Sequence, residues 1–312
     1  MTSLKTIESK RILVLGYTGF LGRALFESLK GKGYVVIGTS KSQGTDIRKR
    51  GSLDGLIQKN KINTIFNCAA TVGGIEFGRL NPVTIFNDNI EMTISILESA
   101  ARHDVKVINP VSNCAYPSNL SEFKEEDFWN GPLDESVLVY GMARKYSVVG
   151  TWAYRQEKNL DSVNLVFPNL YGPGDHKDPV RAHALGALVF RFLQAKLRGD
   201  SAVSVWGSGN PIREWMFILD AVTALELSMF IENQSEIVNI GTGQGVSIRQ
   251  LALMISKEVG YEGATTFDTT MPDGAPCKTM NGSQGQKLLG WSPSTSLEEG
   301  IARTVRWYER EM

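Results

Sequence analysis

Gly16-Tyr17-Thr18-Gly19-Phe20-Leu21-Gly22 sets three glycines three residues apart, between an apolar run, Arg11 to Leu15, and a stretch of helical spacing, 20–30. That arrangement suits an anionic dinucleotide. Gly16 can make the tight turn, Gly19 lets backbone approach a pyrophosphate at the helix N-terminus, and Gly22 lets the helix lie close to its strand. Glycines alone are a weak signal, and their place at the first strand–helix junction is what strengthens it. Thr18, Phe20 and Leu21 share the turn and join it as candidate cofactor contacts. The end of the next strand chooses between cofactors. An acidic residue there would accept from the adenosine 2′-hydroxyl and repel a 2′-phosphate. The chain has Gly38-Thr39-Ser40-Lys41 instead, with no carboxylate before Asp46. Ser40 and Lys41 can hold a phosphate by hydrogen bonding and charge, which favours NADP(H). The bland alternative is a solvated loop lysine.

Elements must hold these residues in place. Strands are expected at 11–15, Tyr34 to Gly38, Thr64 to Cys68, Val105 to Asn109 and Ser162 to Phe167. Helices are expected at 20–30, Ser52 to Lys59, Pro82 to about His103, and Leu138 to Asn159. Alternating strands and helices predict an α/β fold, a Rossmann-type doubly wound parallel sheet with right-handed crossovers. The pattern changes after Pro168. Asn169 to Asp175 reads as a loop, followed by a helix near 181–198, a strand from Ala202 to Trp206 and a helix from Asp220. Glu236 to Ile240 reads as one more strand of the first sheet. Ser247 to Val259 is a helix with Ser247 as N-cap, Gly263 to Gly285 is irregular, and Ser296 to Arg310 is the last helix. The expected division is interleaved. Residues 1–167 with about 220–240 form the cofactor domain, and 168–219 with 241–312 form a smaller C-terminal α/β substrate lobe.

Composition narrows the class. At 312 residues the chain is long enough for one large or two smaller domains. Its 33 basic and 33 acidic side chains cancel, which removes the case for non-specific nucleic-acid binding. No apolar stretch approaches the ~20 residues of a membrane span. The polar start, Met1 to Lys10, runs into an apolar stretch too short for a signal-peptide core, so a cytoplasmic protein is expected. Cys68, Cys114 and Cys277 form neither a CxxC nor a zinc pattern and no disulfide framework. Each is either a small buried hydrophobe or a working thiol.

After the fourth expected strand comes Ser112-Asn113-Cys114-Ala115-Tyr116-Pro117, and on a later helix Tyr140-Gly141-Met142-Ala143-Arg144. Further segments are Ala69-Ala70-Thr71-Val72-Gly73-Gly74-Ile75, Pro168-Asn169-Leu170-Tyr171-Gly172-Pro173, and His183 with Arg191-Phe192. Val205-Trp206-Gly207-Ser208-Gly209, Arg213-Glu214 and Pro272-Asp273-Gly274 complete the set. Together they resemble the extended short-chain dehydrogenase/reductases, in the branch of the GDP-L-fucose synthases, over nearly the whole chain. The resemblance implies an NADPH-dependent 3,5-epimerase/4-reductase of a GDP-4-keto-6-deoxy-mannose. It implies a homodimer through the long helices near 82–103 and 138–159. It also implies cofactor contacts from Asp46, Ile47, Ala69, Ala70, Val72, Tyr140, Arg144, Pro168 and Leu170, and a substrate contact from Asn169.

Hydride delivery to a ketone leaves an alkoxide that needs a proton. Tyr140 can give it if nearby positive charge lowers its pKa of about 10. The superfamily places Lys four residues on, one helical turn away on the same face. Here that position holds Arg144, and Lys145 points elsewhere. Arg144 keeps a permanent charge but cannot shuttle a proton. It either substitutes electrostatically or weakens the redox step. Ser112 can hydrogen-bond the substrate oxygen or merely cap a turn. The resemblance makes Cys114 the base and His183 the acid of epimerisation beside the carbonyl. Arg191 and Arg213 can bind a diphosphate through their guanidinium forks. Trp206, beside Val205, can pack on the base or ribose, and Asp273 can accept from sugar hydroxyls. Cys277 stands where the family carries a basic residue. Two other readings remain. A 4-epimerase or 4,6-dehydratase would keep its cofactor bound, although a dehydratase needs an acid where Asn113 and Cys114 stand. A non-catalytic sugar-nucleotide or NADP(H)-binding homologue would explain Arg144.

Overall fold

The computed structural model describes residues 10–176, 182–232, 237–271 and 273–312. Residues 1–9 of the polar N-terminus, Arg181 at the start of the expected helix, Glu236 and Pro272 lie outside them. The first half runs β1 (Arg11–Leu15), α1 (Phe20–Gly31), β2 (Val35–Thr39), α2 (Asp54–Asn60), β3 (Thr64–Asn67), α3 (Ile75–Leu80), α4 (Pro82–Arg102), β4 (Lys106–Ser112), α5 (Leu138–Lys158) and β5 (Ser162–Phe167). It continues through β6 (Asn169–Tyr171), α6 (Ala184–Arg198), β7 (Ala202–Trp206), β8 (Ile212–Phe217), α7 (Ile218–Ser228) and β9 (Val238–Asn239). The last part is β10 (Gly245–Ser247), α8 (Ile248–Val259), β11 (Ala264–Asp268), β12 (Cys277–Lys278), α9 (Ser283–Leu289) and α10 (Leu297–Glu311).

The main sheet has the order β2-β1-β3-β4-β5-β9, and every pair is parallel. β3 and β5 are buried along their whole length, and β1 from Ile12 onward, as a sheet covered on both faces requires. One face packs on α1 and α7 through Leu25, Leu29, Ala221 and Leu225; the other packs on α2 and α4 through Ile57, Met92 and Ile96. The strand order reverses between β1 and β3, so a crevice opens outside their carboxyl ends, where ligands of such sheets bind. Pro82 sits in the first turn of α4, where its missing N–H costs nothing. Among the described residues no helix is long and apolar enough to cross a membrane.

The C-terminal part departs from the sequence expectation in four places, one being β10, which pairs antiparallel with β8 just ahead of α8. Asn169–Tyr171 is a strand, paired in parallel with Trp215–Phe217, and not a loop. The stretch expected to be irregular contains β11, which pairs with β7, β12, which pairs with β8, and the start of α9. β8 itself was not expected, because Arg213 and Glu214 interrupt its apolar run. Glu214 is nevertheless fully buried. Its carboxylate accepts from the Thr242 N–H, the Thr242 hydroxyl at 3.0 Å and the Met280 N–H at 2.7 Å. Burial pushes this carboxyl above its usual range, and those donors pull it back. A charged residue can occupy a buried strand when its hydrogen bonds are supplied in this way.

Candidate active site

The glycine loop is built by close backbone approach. Gly16 has φ +70°, and a Cβ there would lie 2.8 Å from the Cα of Ala69. A Cβ on Gly22 would lie 2.3 Å from the carbonyl oxygen of Gly16. Gly19 caps α1 without a side-chain bond, and the first turn carries no acidic residue. The helix N-terminus is therefore open to an anion. Thr18 is exposed beside it, Leu21 is half-buried, and Phe20 is buried in the core. Beyond β2, Ser40 is buried with its hydroxyl 3.0 Å from that of Ser42, while Lys41 is exposed. Asp46 is held well below the usual carboxylate range by Arg48, whose Nε lies 2.8 Å away. Arg48 also reaches Asp88 at 2.7 Å, and Asp88 accepts from the Thr71 hydroxyl at 2.9 Å. This bridge ties the loop after β2 to the loop after β3, in which Ala70 and Val72 are exposed. Ile47 is buried beneath it.

Ser112 ends β4 and caps a single 3₁₀ turn, its hydroxyl accepting from the Cys114 N–H at 3.2 Å. That turn presses against α5 because the residue after Tyr140 is a glycine. A Cβ on Gly141 would lie 2.5 Å from the Cys114 carbonyl oxygen. The phenol and the thiol are thus brought to one place. Arg144 lies one turn along α5, with its guanidinium carbon 5.1 Å from the Tyr140 ring centre. It is buried, and it donates to Asn89 Oδ1 at 2.6 Å. Asn89 also accepts from the Thr71 N–H and donates to the carbonyls of Thr71 and Ile85. The Nε of Arg144 is buried with no hydrogen-bond partner. Lys145 donates to the Phe128 carbonyl and faces the rings of Phe128 and Trp129. It is no substitute for Arg144. Burial pushes the Tyr140 phenol above its ordinary value, and Arg144 only partly opposes this. At the phenol, loss of solvent outweighs the guanidinium.

His183 caps α6. Its Nδ1 lies 2.9 Å from Asp175, and its ring centre lies 5.4 Å from that of Phe20. The imidazole therefore stands beside the glycine loop. Arg213, on β8, is held below its ordinary value by burial, opposed by Cys277, Asp134, Cys114 and Asp273. Its guanidinium donates to the carbonyls of Ile212 at 2.8 Å and Asp273 at 3.5 Å. Lys278 is its register partner on β12. Trp206 is exposed at the end of β7, and Val205 before it is turned into the core. Arg191 donates to the Ser204 carbonyl, two residues from Trp206. Asp273 accepts from the Ser208 N–H at 2.7 Å and hydroxyl at 2.8 Å, which fastens the turn after Trp206. Pro168 is buried and Leu170 half-buried; Asn169 donates to the Glu214 carbonyl at 2.9 Å. Cys68 is no nucleophile, since burial pushes its thiol up to about 12.

A model of the NAD dependent epimerase/dehydratase family matches residues 12–241. The chain belongs to that family. GDP-L-fucose synthase 1 of Arabidopsis thaliana is 32% identical over 303 residues, covering 96% of this chain and 94% of that protein. Among solved structures, a GDP-L-fucose synthetase of Naegleria fowleri bound to NADP superposes with a TM-score of 0.86 at 25% identity, covering 97% of this chain and 95% of that one. A GDP-6-OMe-4-keto-L-xylo-heptose reductase from C. jejuni reaches 0.91 at 23% identity, covering 97% and 98%, and shares the fold. The chain is an enzyme of the epimerase/dehydratase family, built on the extended short-chain dehydrogenase/reductase fold.

The family fold gathers Ser112, Cys114, Tyr140 and Arg144 into one cluster and sets His183 beside the glycine loop. Both groups lie outside the carboxyl ends of the parallel strands. Four residues escaped the sequence reading: Asn89, Arg48, Asp88 and Asp175. Asn89 had a signal, a polar side chain on the stripe of α4 that buries Ile85, Met92 and Ile96. The other three act through partners that no local pattern announces.

Proposed function

We propose that this enzyme epimerises and reduces a GDP-activated 4-keto-6-deoxy sugar with NADP(H). The open N-terminus of α1, the close contact of Gly16 with Ala69 and the unpartnered Nε of Arg144 all fit a dinucleotide. Residues 1–167 with about 220–240 hold it, and 168–219 with 241–312 hold the sugar nucleotide. Gly16, Thr18 and Gly19 receive the pyrophosphate, Ser40 and Lys41 the 2′-phosphate, and Arg144 a ribose hydroxyl. When bound, NADPH supplies the hydride for the ketone carbon. Tyr140 gives its proton to the resulting alkoxide, and Ser112 holds that oxygen. Cys114 removes the proton next to the carbonyl, and His183 returns one on the opposite face. Arg191 and Arg213 grip the diphosphate, and Trp206 covers the nucleoside.

The observation that carries this reading is the seating of Tyr140, Arg144 and Cys114 against one another through Gly141. The 32% identity to a GDP-L-fucose synthase supports GDP as the nucleotide. The test is direct: mix enzyme, NADPH and GDP-4-keto-6-deoxy-mannose and follow absorbance at 340 nm. Consumption of NADPH with formation of a 6-deoxy-hexose is expected. No oxidation with GDP-, UDP- or dTDP-linked 4-keto sugars would overturn the proposal.

The assembly belongs to the same reading. Leu138, Met142, Tyr146, Val149 and Trp152 form an exposed stripe on α5, next to exposed Val83 and Phe86 on α4. We assign this face to a second copy of the chain. The three free cysteines suit a reducing compartment, and we place the enzyme in the cytoplasm.

A further inference from the structure

The geometry points to Asp175 as the residue that positions His183, an inference that rests on the proposed proton exchange at that imidazole. Asp175 lies in the loop between β6 and α6, and its carboxylate is 1% exposed against 43% for the His183 side chain. One oxygen accepts from His183 Nδ1 at 2.9 Å and from the His176 N–H at 2.8 Å. The other accepts from the His183 N–H at 3.0 Å. A carboxylate that receives Nδ1–H fixes the tautomer and leaves Nε2 as the atom that takes up and returns a proton. The backbone donors hold the carboxylate in turn, so the ring is aimed and not merely capped.

Residues 174–176 are fastened from two helices, and a third leaves room for the carboxylate. Arg23, on α1, donates to the Gly174 carbonyl at 2.5 Å. Tyr308, on α10, donates to the His176 carbonyl at 2.9 Å. Gly186, on α6, leaves room for the carboxylate: a Cβ there would lie 2.7 Å from Asp175 Oδ2 and 2.7 Å from the Tyr308 hydroxyl. The loop bearing Asp175 is thereby coupled to the helix that caps the dinucleotide. In the reaction, the proton on the carbon beside the ketone passes to the Cys114 thiolate, and the enolate is reprotonated from Nε2 of the His183 imidazolium, which is left as the neutral ring protonated at Nδ1 and held by Asp175. Solvent restores both groups, so no oxidant or reductant is consumed.

The experiment is ¹⁵N NMR of histidine-labelled enzyme, with the His183 signal assigned by its loss in His183→Asn. A single tautomer protonated at Nδ1 is expected for the neutral ring. Asp175→Asn offers one acceptor oxygen to donors that arrive at both, and should yield mixed tautomers. In parallel, deuterium wash-in from solvent into the keto sugar, measured without NADPH, should slow about 10²-fold in that variant while NADPH binding by fluorescence is kept. Gly186→Ala is a change that helix propensity favours, yet it pushes on the carboxylate and should slow exchange likewise. It serves where Asp175→Asn does not fold. A neutral wild-type His183 protonated at Nε2 and not at Nδ1, or unaltered exchange in both variants, would overturn the role of Asp175. Absence of exchange in the wild-type enzyme would instead overturn the epimerase reading, and the tautomer would still decide what Asp175 does to the ring.

Discussion

Tyr140 and Arg144 show how burial and charge compete at single residues. Burial raises the phenol, the Arg144 guanidinium opposes that, and Cys114 adds to the rise. A group raised above about 10 keeps its proton throughout the neutral range. In the proposed reaction, reduction draws on the protonated phenol, so its kcat should hold from neutral into mildly alkaline pH with no loss from Tyr140. The reverse oxidation uses the phenolate and should speed up as pH rises. Paired pH–rate profiles check both signs, and Tyr140→Phe should cut reduction by about 10²-fold or more with NADPH affinity kept. Arg144 depends on Asn89 as its acceptor at 2.6 Å. Asn89→Leu leaves a buried guanidinium without that acceptor, at a cost of about 2–3 kcal/mol. Urea denaturation should register the loss. Arg144→Lys loses the fork that spans Asn89 and the Tyr140 ring, so turnover should fall about tenfold or more.

At the scale of elements, the contact between α5 and the turn after β4 assembles the site. Gly141 permits it. Alanine at this position would favour an isolated helix by about 1 kcal/mol. Its Cβ would nevertheless meet the Cys114 carbonyl at 2.5 Å and Leu133 Cδ1 at 2.8 Å. Gly141→Ala should therefore lower kcat sharply, with a smaller effect on the dissociation constant for NADPH, whose proposed phosphate contacts lie in the loops after β1 and β2. Steady-state kinetics beside fluorescence titration separates the two. The Arg48 bridge works at the same scale, joining the loops after β2 and β3 through Asp46 and Asp88. No helical or strand periodicity encodes it, because Asp88 lies 40 residues from Arg48.

The whole molecule couples its two parts through shared side chains. Leu170 packs against the core beneath the main sheet and against the core of the C-terminal elements. Phe20, from the dinucleotide helix, is buried in the latter. The exposed stripe on α5 has the spacing of one helix face, with Trp152 48% and Val149 45% exposed. A contiguous apolar face of this kind marks an association surface. On the proposed assembly, a dimer by light scattering is expected, and Trp152→Glu combined with Val149→Glu should convert it into a monomer with the far-UV circular dichroism spectrum unchanged.

The sequence by itself determined what local spacing controls. The alternation of strands and helices, the glycine turn after β1, the tyrosine and arginine one turn apart and the N-cap at Ser247, which forms a full capping box, all follow from periods of two and 3.6 residues. The tertiary structure alone decided where polar groups could be buried. β8 exists as a strand because Thr242 and Met280, 28 and 66 residues away, supply donors to Glu214. Arg144 can be buried because Asn89, 55 residues earlier, accepts from it. His183 faces the dinucleotide turn because the buried Asp175 holds its ring against Phe20. A buried charge is tolerated only when partners reach it, and those partners come from chain segments that folding alone makes neighbours.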